Sequence, residues 1–123
     1  MIFIENNNLD PALNHAIELY VMDKYNEDIF MLWQNKPCIL IGRYQNINME
    51  VNLDFTEKNG LDVVRRLSGG GAIYCDTDNM QYTFITKDTS ISASFAKFAE
   101  PVVNALKSLA LEAEFTGRND ILI

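Results

Sequence analysis

The chain has 123 residues, a length typical of one domain that can bury a core of its own. Hydrophobic residues make up 48% of it and aromatic residues 11%, which argues against intrinsic disorder. The formal net charge is −7, so the sequence lacks the basic balance of a duplex nucleic-acid binder and suits anionic membranes poorly.

The N-terminus and the cysteines bound the cellular setting. The opening MIFIENNNLDPALN lacks a basic region followed by a long apolar run, so it predicts no signal peptide. No segment approaches the ~18 apolar residues of a membrane span. Cys38 and Cys75 lack CxxC spacing and a histidine cluster, which indicates neither a zinc site nor a disulfide scaffold. We expect a cytoplasmic protein.

The first elements in chain order are a strand and a helix. A short strand is predicted at 2–4. Asp10 then offers an N-cap, and Pro11 occupies the first helical position. Apolar residues at helical spacing follow, so the pattern predicts an amphipathic helix over 11–25.

Two apolar runs come next. Strands are predicted over 29–33 and 38–42, on either side of the turn-like QNKP. A polar loop then leads to a short helix near 52–59, which Gly60 can terminate.

The middle of the chain predicts further strands around a glycine-rich interruption. Strand positions are expected at 63–64, at 72–74 and, after a turn at 76–79, over 80–86.

The last part predicts one long helical stretch and a final strand. Apolar spacing indicates helix over 93–111, where Pro101 should kink the helix or begin a second one. The chain finishes on the apolar run 121–123, which reads as a strand that continues into further chain. Together the elements predict an α+β fold, with a mixed, largely antiparallel β-sheet and flanking helices.

The glycine-rich interruption reads RRLSGGGAIYCD, from Arg65 to Asp76. Three consecutive glycines permit positive φ and let backbone N–H groups converge on an anion, and forked guanidinium groups suit carboxylate or phosphate. The stretch lacks both GxxxxGK[ST] and GxGxxG, so it is neither a P-loop nor a Rossmann turn. Composition alone leaves a tight turn and an anion cradle equally open.

Other chemistry-bearing residues have ordinary structural explanations. The loop GRYQN at 42–46 could supply an arginine and amides at a pocket mouth, but a solvated loop is the favoured explanation. The turn GRND at 117–120 could contact Mg²⁺ or a nucleotide, but a turn with Asx hydrogen bonds is favoured. His15 on the first helix is expected to be structural or solvent-facing. Cys75 lies beside a strand without an evident base, which favours a packing thiol over a nucleophile.

Taken together, these motifs resemble the lipoate–protein ligases of the biotin/lipoate ligase superfamily. The resemblance is carried by NHAIELYVM, FMLWQN, ILIGRYQNINMEVN, VVRRLSGGGAIYCDTDNMQYTFI and TGRNDILI, in that order. It implies that lipoate reacts with ATP to give lipoyl-AMP, with Mg²⁺ on the phosphates. A lysine of a carrier protein then takes the lipoyl group. The implied carriers are lipoyl domains of 2-oxoacid dehydrogenase complexes or the glycine cleavage H protein, with no nucleic-acid or membrane partner.

The resemblance also implies the site residues. The lipoate and lipoyl-adenylate site would comprise Trp33, Arg43, Gln45, Asn46, Arg65, Ser68, Gly69, Gly70, Gly71 and Ala72. The nucleotide site would comprise Ile73, Tyr74, Asp76, Asn79, Asn119 and Asp120, with Asp120 also a ligand of the metal.

Three departures from the family pattern bear on activity. Cys75 stands where the family usually has histidine, and Asp78 replaces the glycine of a D-x-G-N turn, a position where aspartate tolerates the left-handed region. The family's essential lysine, in a K-x-S-G segment, would lie beyond Ile123. We therefore expect 1–123 to be one incomplete catalytic domain, without the catalytic lysine and any accessory domain, and impaired in isolation.

Two alternatives remain open. One is a lipoyl or octanoyl transferase that carries the acyl group on Cys75 as a thioester, without ATP. The other is a non-catalytic module that binds lipoate or a carrier protein.

Overall fold

The computed structural model of the chain describes residues 1–87, 95–116 and 120–123. Its elements are β1 (Ile2–Asn6), α1 (Pro11–Lys24), β2 (Ile29–Trp33), β3 (Cys38–Ile41), α2 (Ile47–Glu50), α3 (Leu53–Lys58), β4 (Asp62–Arg65), β5 (Ile73–Cys75), β6 (Gln81–Ile85), α4 (Phe95–Ser108), β7 (Glu114–Thr116) and β8 (Asp120–Leu122). The chain divides into two compact units, Met1–Thr86 and Lys87–Ile123, and each is described by itself.

The first unit begins with a three-stranded sheet in the order β1-β2-β6. β1 runs parallel to β2, and β2 runs antiparallel to β6. The alternation of side chains along β2 buries Ile29, Met31 and Trp33 on one face. Val21 of α1 packs with Ile29 and with Ile85 of β6, so α1 covers this face and closes a core.

The predicted start of α1 is confirmed. The carboxylate of Asp10 accepts a hydrogen bond from the backbone N–H of Leu13 at 2.9 Å, and Pro11 follows at the first helical position. The helix ends at Lys24, one residue earlier than predicted.

A second three-stranded sheet has the order β4-β3-β5. β3 is parallel to β4 and antiparallel to β5, which places Cys38 directly opposite Cys75. These two cysteines and Leu40 form a buried cluster against Val64. Each of the two larger sheets mixes parallel and antiparallel pairs, and the predicted α+β class is confirmed.

The loop after β3 contains a helix that the sequence did not reveal. Helix α2 begins after Asn46, whose side-chain oxygen accepts from the N–H of Asn48 at 3.1 Å. Four residues are too few to display a 3.6-residue hydrophobic period, so the apolar pattern did not predict this helix. The next helix, α3, ends as predicted, with Gly60 at φ +64°.

The second unit contains α4 and the antiparallel pair β7–β8. Residues 93 and 94 of the predicted helix lie outside the described residues. Pro101 lies inside α4, so of the two predicted outcomes, a kink or the start of a second helix, the second does not occur. The helix ends at Ser108, three residues early. The N–H of Leu111 bonds to Leu106 O at 3.2 Å and that of Ala110 to Lys107 O at 3.0 Å, the pattern of a Schellman cap.

Ala110 holds the left-handed position of this cap, with φ +63°, where glycine is usual. The left-handed region costs an L-residue roughly 1–2 kcal/mol, whereas extra unfolded-state entropy costs glycine about 0.5–1 kcal/mol. Ala110→Gly is therefore expected to raise the free energy of unfolding, measured in urea, by about 0.5–1 kcal/mol. Ala105→Gly, at an exposed position inside α4, is the matched control and should lower it by about 1 kcal/mol. A loss of stability in both variants would contradict this account of the cap.

Candidate functional site

The site is built where two loops of the first unit meet. The first follows β3 and contains Gly42, Arg43 and Gln45, and the second is the glycine loop 67–72. The backbone N–H of Arg43 donates to Ser68 O at 2.9 Å, which joins them directly. The structure thus brings together two motifs that are more than 20 residues apart in the sequence.

The loops touch most closely at Gly42 and Gly70. A Cβ built on Gly42 would overlap the carbonyl oxygen of Gly70, so only glycine fits at position 42. Gly70 itself has φ +98°, a conformation that favours glycine. By contrast, a Cβ at Gly69 or Gly71 would meet open space.

Arg65 fastens the first of these loops. Its Nη1 lies 2.9 Å from Gly42 O, 3.2 Å from Arg43 O and 2.8 Å from Gln45 O. The side-chain oxygen of Gln45 in turn accepts from the N–H of Gly42 at 2.8 Å. The predicted site residues Arg65 and Gln45 therefore hold the backbone of this loop. The guanidinium of Arg43 is exposed and lies 5.5 Å from the ring centroid of Tyr44.

Arg66 fastens the glycine loop. Its Nη2 donates to Gly69 O at 3.0 Å and to Gly71 O at 2.7 Å, while Nη1 donates to Leu40 O at 3.0 Å. Arg66 was not among the site residues that the family resemblance implied. In the structure Arg65 bonds the loop after β3 and Arg66 bonds the glycine loop, a division that depends on how the strands pair.

A cavity of about 530 Å³ opens beside the end of the glycine loop. Ala72, Ile73 and Tyr74 form one wall of it, and Ile39 and Phe55 contribute further apolar surface. An apolar cavity flanked by a few polar groups is the usual form of a small-molecule site. Three of the predicted site residues therefore line a volume large enough for a ligand.

Trp33 lies elsewhere in the first unit. Its indole is buried between the sheet and α1, and its Nε1 donates to Thr83 Oγ1 at 3.1 Å. Thr83 donates onward to Glu18 at 2.8 Å, and His15 Nδ1 lies 3.2 Å from the other oxygen of Glu18. Burial raises the pKa of Glu18, but the hydrogen bonds from His15 and Thr83 outweigh it, and the net pKa lies below the usual value. His15 is buried edge-on to Trp33, as expected of a structural histidine.

The turn at 76–79 forms as predicted. The N–H of Asp76 donates to the Asn79 side chain at 3.0 Å, and the N–H of Asp78 donates to the Asp76 carboxylate at 3.0 Å. Asp78 does not adopt positive φ. Side-chain acceptors at Asp76 and Asn79 therefore sustain the turn, without the left-handed residue that the family's glycine suggested.

Both cysteines are buried thiols. Burial raises the pKa of Cys38 to about 12, and it raises the pKa of Cys75 even though the nearby Arg66 opposes the shift. A thioester mechanism needs an accessible thiolate, so this setting disfavours the transferase alternative.

Alkylation measures this directly. At pH 8.5 we expect iodoacetamide to modify Cys38 and Cys75 in the folded protein on the order of 10²-fold more slowly than in urea. Burial raises the pKa of both thiols, which lowers the fraction of reactive thiolate, and it also keeps the reagent away from the sulfur atoms. Rates within a few fold of each other in the two states would show an accessible thiolate and reopen the thioester route.

The remaining predicted residues belong to the second unit. Asp120 is exposed at the start of β8, and Asn119 lies outside the described residues. Among residues 1–87, 95–116 and 120–123, no three carboxylate, imidazole or thiol groups cluster as metal ligands. In the same residues no helix is both long and apolar enough to cross a membrane.

Several lipoate–protein ligases are similar to this chain in sequence and in structure. The lipoate–protein ligase 1 of Staphylococcus aureus is 49% identical over 127 residues, which cover all of this chain and 39% of that protein. A Plasmodium falciparum LipL1 structure in complex with lipoate has a TM-score of 0.84 at 32% identity, covering 98% of this chain and 40% of that one.

Two further structures share the fold. An archaeal bipartite lipoate protein ligase, studied with its E2 lipoyl domain from Thermoplasma acidophilum, has a TM-score of 0.87 at 26% identity, over 97% of this chain and 49% of that one. A lipoate–protein ligase A bound with ATP has a TM-score of 0.85 at 27% identity, over 98% of this chain and 51% of that one.

The chain thus spans about two fifths to one half of the length of these proteins. A family profile described as the lipoyl protein ligase A/B catalytic domain matches residues 10–123. The chain therefore belongs to the lipoyl protein ligase A/B catalytic-domain family.

Proposed function

We propose that the protein containing these residues activates lipoate with ATP and transfers the lipoyl group to a carrier lysine. A carboxylate oxygen of lipoate attacks the α-phosphorus of ATP, which forms lipoyl-AMP and releases pyrophosphate. The lysine amine then attacks the lipoyl carbonyl, which forms an amide and releases AMP. The observation that carries the proposal is the glycine loop held against the 42–45 loop in a member of this family.

In the first step a negatively charged carboxylate approaches a negatively charged polyphosphate. The site must therefore offset the repulsion and hold the carboxylate oxygen in line with the α-phosphorus. Backbone N–H groups of Ser68, Gly69, Gly70, Gly71 and Ala72 would face the acyl-phosphate junction, while Arg43 and Asn46 would border the lipoate. Arg65 and Gln45 already bond the backbone of the 42–45 loop, so we assign them the role of fixing that border. The indole of Trp33 is buried against α1 and bonds Thr83, so we assign it no direct contact with the lipoyl tail.

The nucleotide would lie beyond the glycine loop. Ile73 and Tyr74 line the cavity of about 530 Å³ and would offer apolar surface to the adenine. Asp76 and Asn79 would keep the following turn in place. Asn119 and Asp120 complete the set that we propose for the nucleotide.

Mg²⁺ would accompany the phosphates of ATP, where it neutralises charge on the oxygens. Mg²⁺ is usually held by one or two carboxylates plus substrate phosphates. The exposed carboxylate of Asp120 fits that requirement, whereas the described residues contain no larger donor cluster that would hold a resident ion.

The proposed acceptors are carrier proteins with a target lysine. The name of the Staphylococcus relative says that lipoate is joined to protein, and the archaeal ligase was studied with an E2 lipoyl domain. We extend this to the lipoyl domains of 2-oxoacid dehydrogenase complexes or to the glycine cleavage H protein. Residues 1–123 would form the N-terminal part of one catalytic domain, with the family's lysine outside them.

The decisive experiment is lipoate-dependent exchange of pyrophosphate into ATP by the full-length protein, followed by transfer to a purified lipoyl domain read by intact mass. Exchange and transfer that both require lipoate and ATP are expected. Lipoate binding in calorimetry without any exchange would overturn the proposal in favour of a binding module. Transfer without ATP would favour the transferase.

Residues 1–123 alone are expected to give no exchange. Exchange by this segment would contradict the assignment of the essential lysine to a position outside it.

A further inference from the structure

Arg66 makes contacts that fix the direction of two peptide groups in the glycine loop. One nitrogen, Nη2, donates to the carbonyl oxygen of Gly69 at 3.0 Å and to that of Gly71 at 2.7 Å. A trans peptide is planar, with its C=O and N–H pointing in opposite directions. The N–H groups of Gly70 and Ala72 belong to these same two peptides, and the described bonds contain no cis peptide. Both N–H groups therefore point away from Arg66, on one side of the loop.

These two amides are free to bind a ligand. In the described part of the chain, neither the Gly70 nor the Ala72 amide donates to another residue. Both residues precede the ladder of β5, which begins at Ile73. Two N–H groups on the outer side of a loop can each donate to an oxygen of a carboxylate or phosphate ligand.

The local backbone agrees with this arrangement. Gly70 has φ +98°, and a Cβ there would press on Arg66 Nη2. Glycine at 70 thus lets the two flanking carbonyls turn to the same guanidinium. A Cβ at Gly71 would have no atom within 4 Å other than those of its chain neighbours.

We propose that Arg66 is a positioning residue that aims the amides of Gly70 and Ala72 at the oxyanion of the reacting group. This rests on the proposed function, in which that oxyanion belongs to the lipoate carboxylate or to the α-phosphate joined to it. Arg66 does not touch the substrate; its positive charge is satisfied by three backbone carbonyls, those of Leu40, Gly69 and Gly71. Arg65 plays the equivalent part for the opposite loop.

The geometry requires a guanidinium rather than any cation. Arginine presents several donors in a planar fork and can hold carbonyls from two segments at once, whereas the lysine ammonium is a compact point charge on a flexible stem. Arg66→Lys keeps the charge and loses the fork. It is therefore the sharper variant, and Arg66→Ala is the second.

The test uses the full-length protein with amide resonances followed by NMR. Lipoate alone, AMP alone and a non-hydrolysable lipoyl-adenylate analogue are titrated in separate arms. In the wild type, the analogue is expected to move the Gly70 and Ala72 amides downfield. Whichever of lipoate or AMP also moves them identifies the oxyanion, and either result supports the proposal.

In Arg66→Lys we expect these shifts to disappear, and the adenylation kcat to fall on the order of 10²-fold, the usual effect of losing an oxyanion donor. The KM for the carrier protein should stay unchanged. In Arg66→Ala, millimolar methylguanidinium should restore part of the rate, whereas methylammonium at the same concentration should not. A purely structural defect would show no such difference between the two cations.

Two results would overturn the proposal while leaving the proposed function intact: tight binding of the analogue in the wild type with unmoved Gly70 and Ala72 amides, or wild-type affinity and rate in Arg66→Lys. Failure of the wild type to bind the analogue or to exchange pyrophosphate would instead remove the proposed function, and this assignment with it.

Discussion

Gly42→Ala is expected to destabilise the first unit and to separate its two site loops. The new methyl group would overlap the Gly70 carbonyl oxygen and crowd the backbone carbons of Gly69 and Gly70, which are not the movable end of a side chain. Forcing extra volume into a packed contact costs typically 1–3 kcal/mol. The free energy of unfolding in urea should therefore fall by about 1–3 kcal/mol. Affinity for a lipoyl-adenylate analogue in the full-length protein should fall with it.

Two other glycines separate the steric cause from conformational causes. Gly69→Ala adds a methyl into open space without a positive φ, so its free energy of unfolding should stay within about 0.5 kcal/mol of the wild type. Gly60→Ala adds one into open space at φ +64°, and should cost about 1 kcal/mol through backbone strain alone. If Gly42→Ala proves no more destabilising than Gly69→Ala, the loops do not meet as described.

Asn14→Ala is expected to have the largest effect on folding. Asn14 is fully buried in α1, and its side-chain oxygen accepts from Asn6 Nδ2 at 2.9 Å. Its Nδ2 lies 3.0 Å from Asn8 O, 2.8 Å from Gln34 O and 2.9 Å from Asn35 Oδ1. The side chain thus ties β1, the loop before α1 and the turn after β2 to one point.

Each buried polar group left without a partner costs about 1–3 kcal/mol. With several groups stranded at once, Asn14→Ala should lower the free energy of unfolding by about 3–5 kcal/mol, a large share of the 5–15 kcal/mol of a typical domain. Equilibrium urea denaturation, followed by the fluorescence of Trp33, measures it. Asn7→Ala, at the exposed asparagine in the same tract, is the control and should stay within about 0.5 kcal/mol of the wild type. Equal midpoints for the two variants would show that the buried network carries no stability.

The residues in these predictions hold backbone segments of the first unit in place. Two arginines, one glycine contact and one buried asparagine fix backbone segments that come from distant parts of the sequence. None of these four residues needs to touch a substrate for its loss to impair binding. Variants at Gly42 and Asn14 therefore separate the support of the site from its chemistry.

Local pattern was sufficient for most of the elements. The cap at Asp10 with Pro11 located the start of α1, and the apolar run at 29–33 matched β2 residue for residue. Two of the elements that are too short to show a period were missed: α2 has four residues and β7 has three. The end of α4 was predicted three residues too late because Ala110 occupies a position where glycine is the usual signal.

For the site as well, the sequence and the tertiary structure determined different things. The sequence alone determined which residue types the site contains, because RRLSGGGA and GRYQN are each short runs of glycines and hydrogen-bond donors. The family that these motifs resemble is also the one whose profile matches the chain. Only the tertiary structure decided what each residue holds: Arg65 bonds the loop after β3, Arg66 bonds the glycine loop, and Gly42 is required by a neighbour 28 positions away. The physical reason is that a hydrogen-bond donor or a missing side chain acts on whatever the fold brings within about 3 Å of it, and pairing between β3, β4 and β5 sets that neighbour.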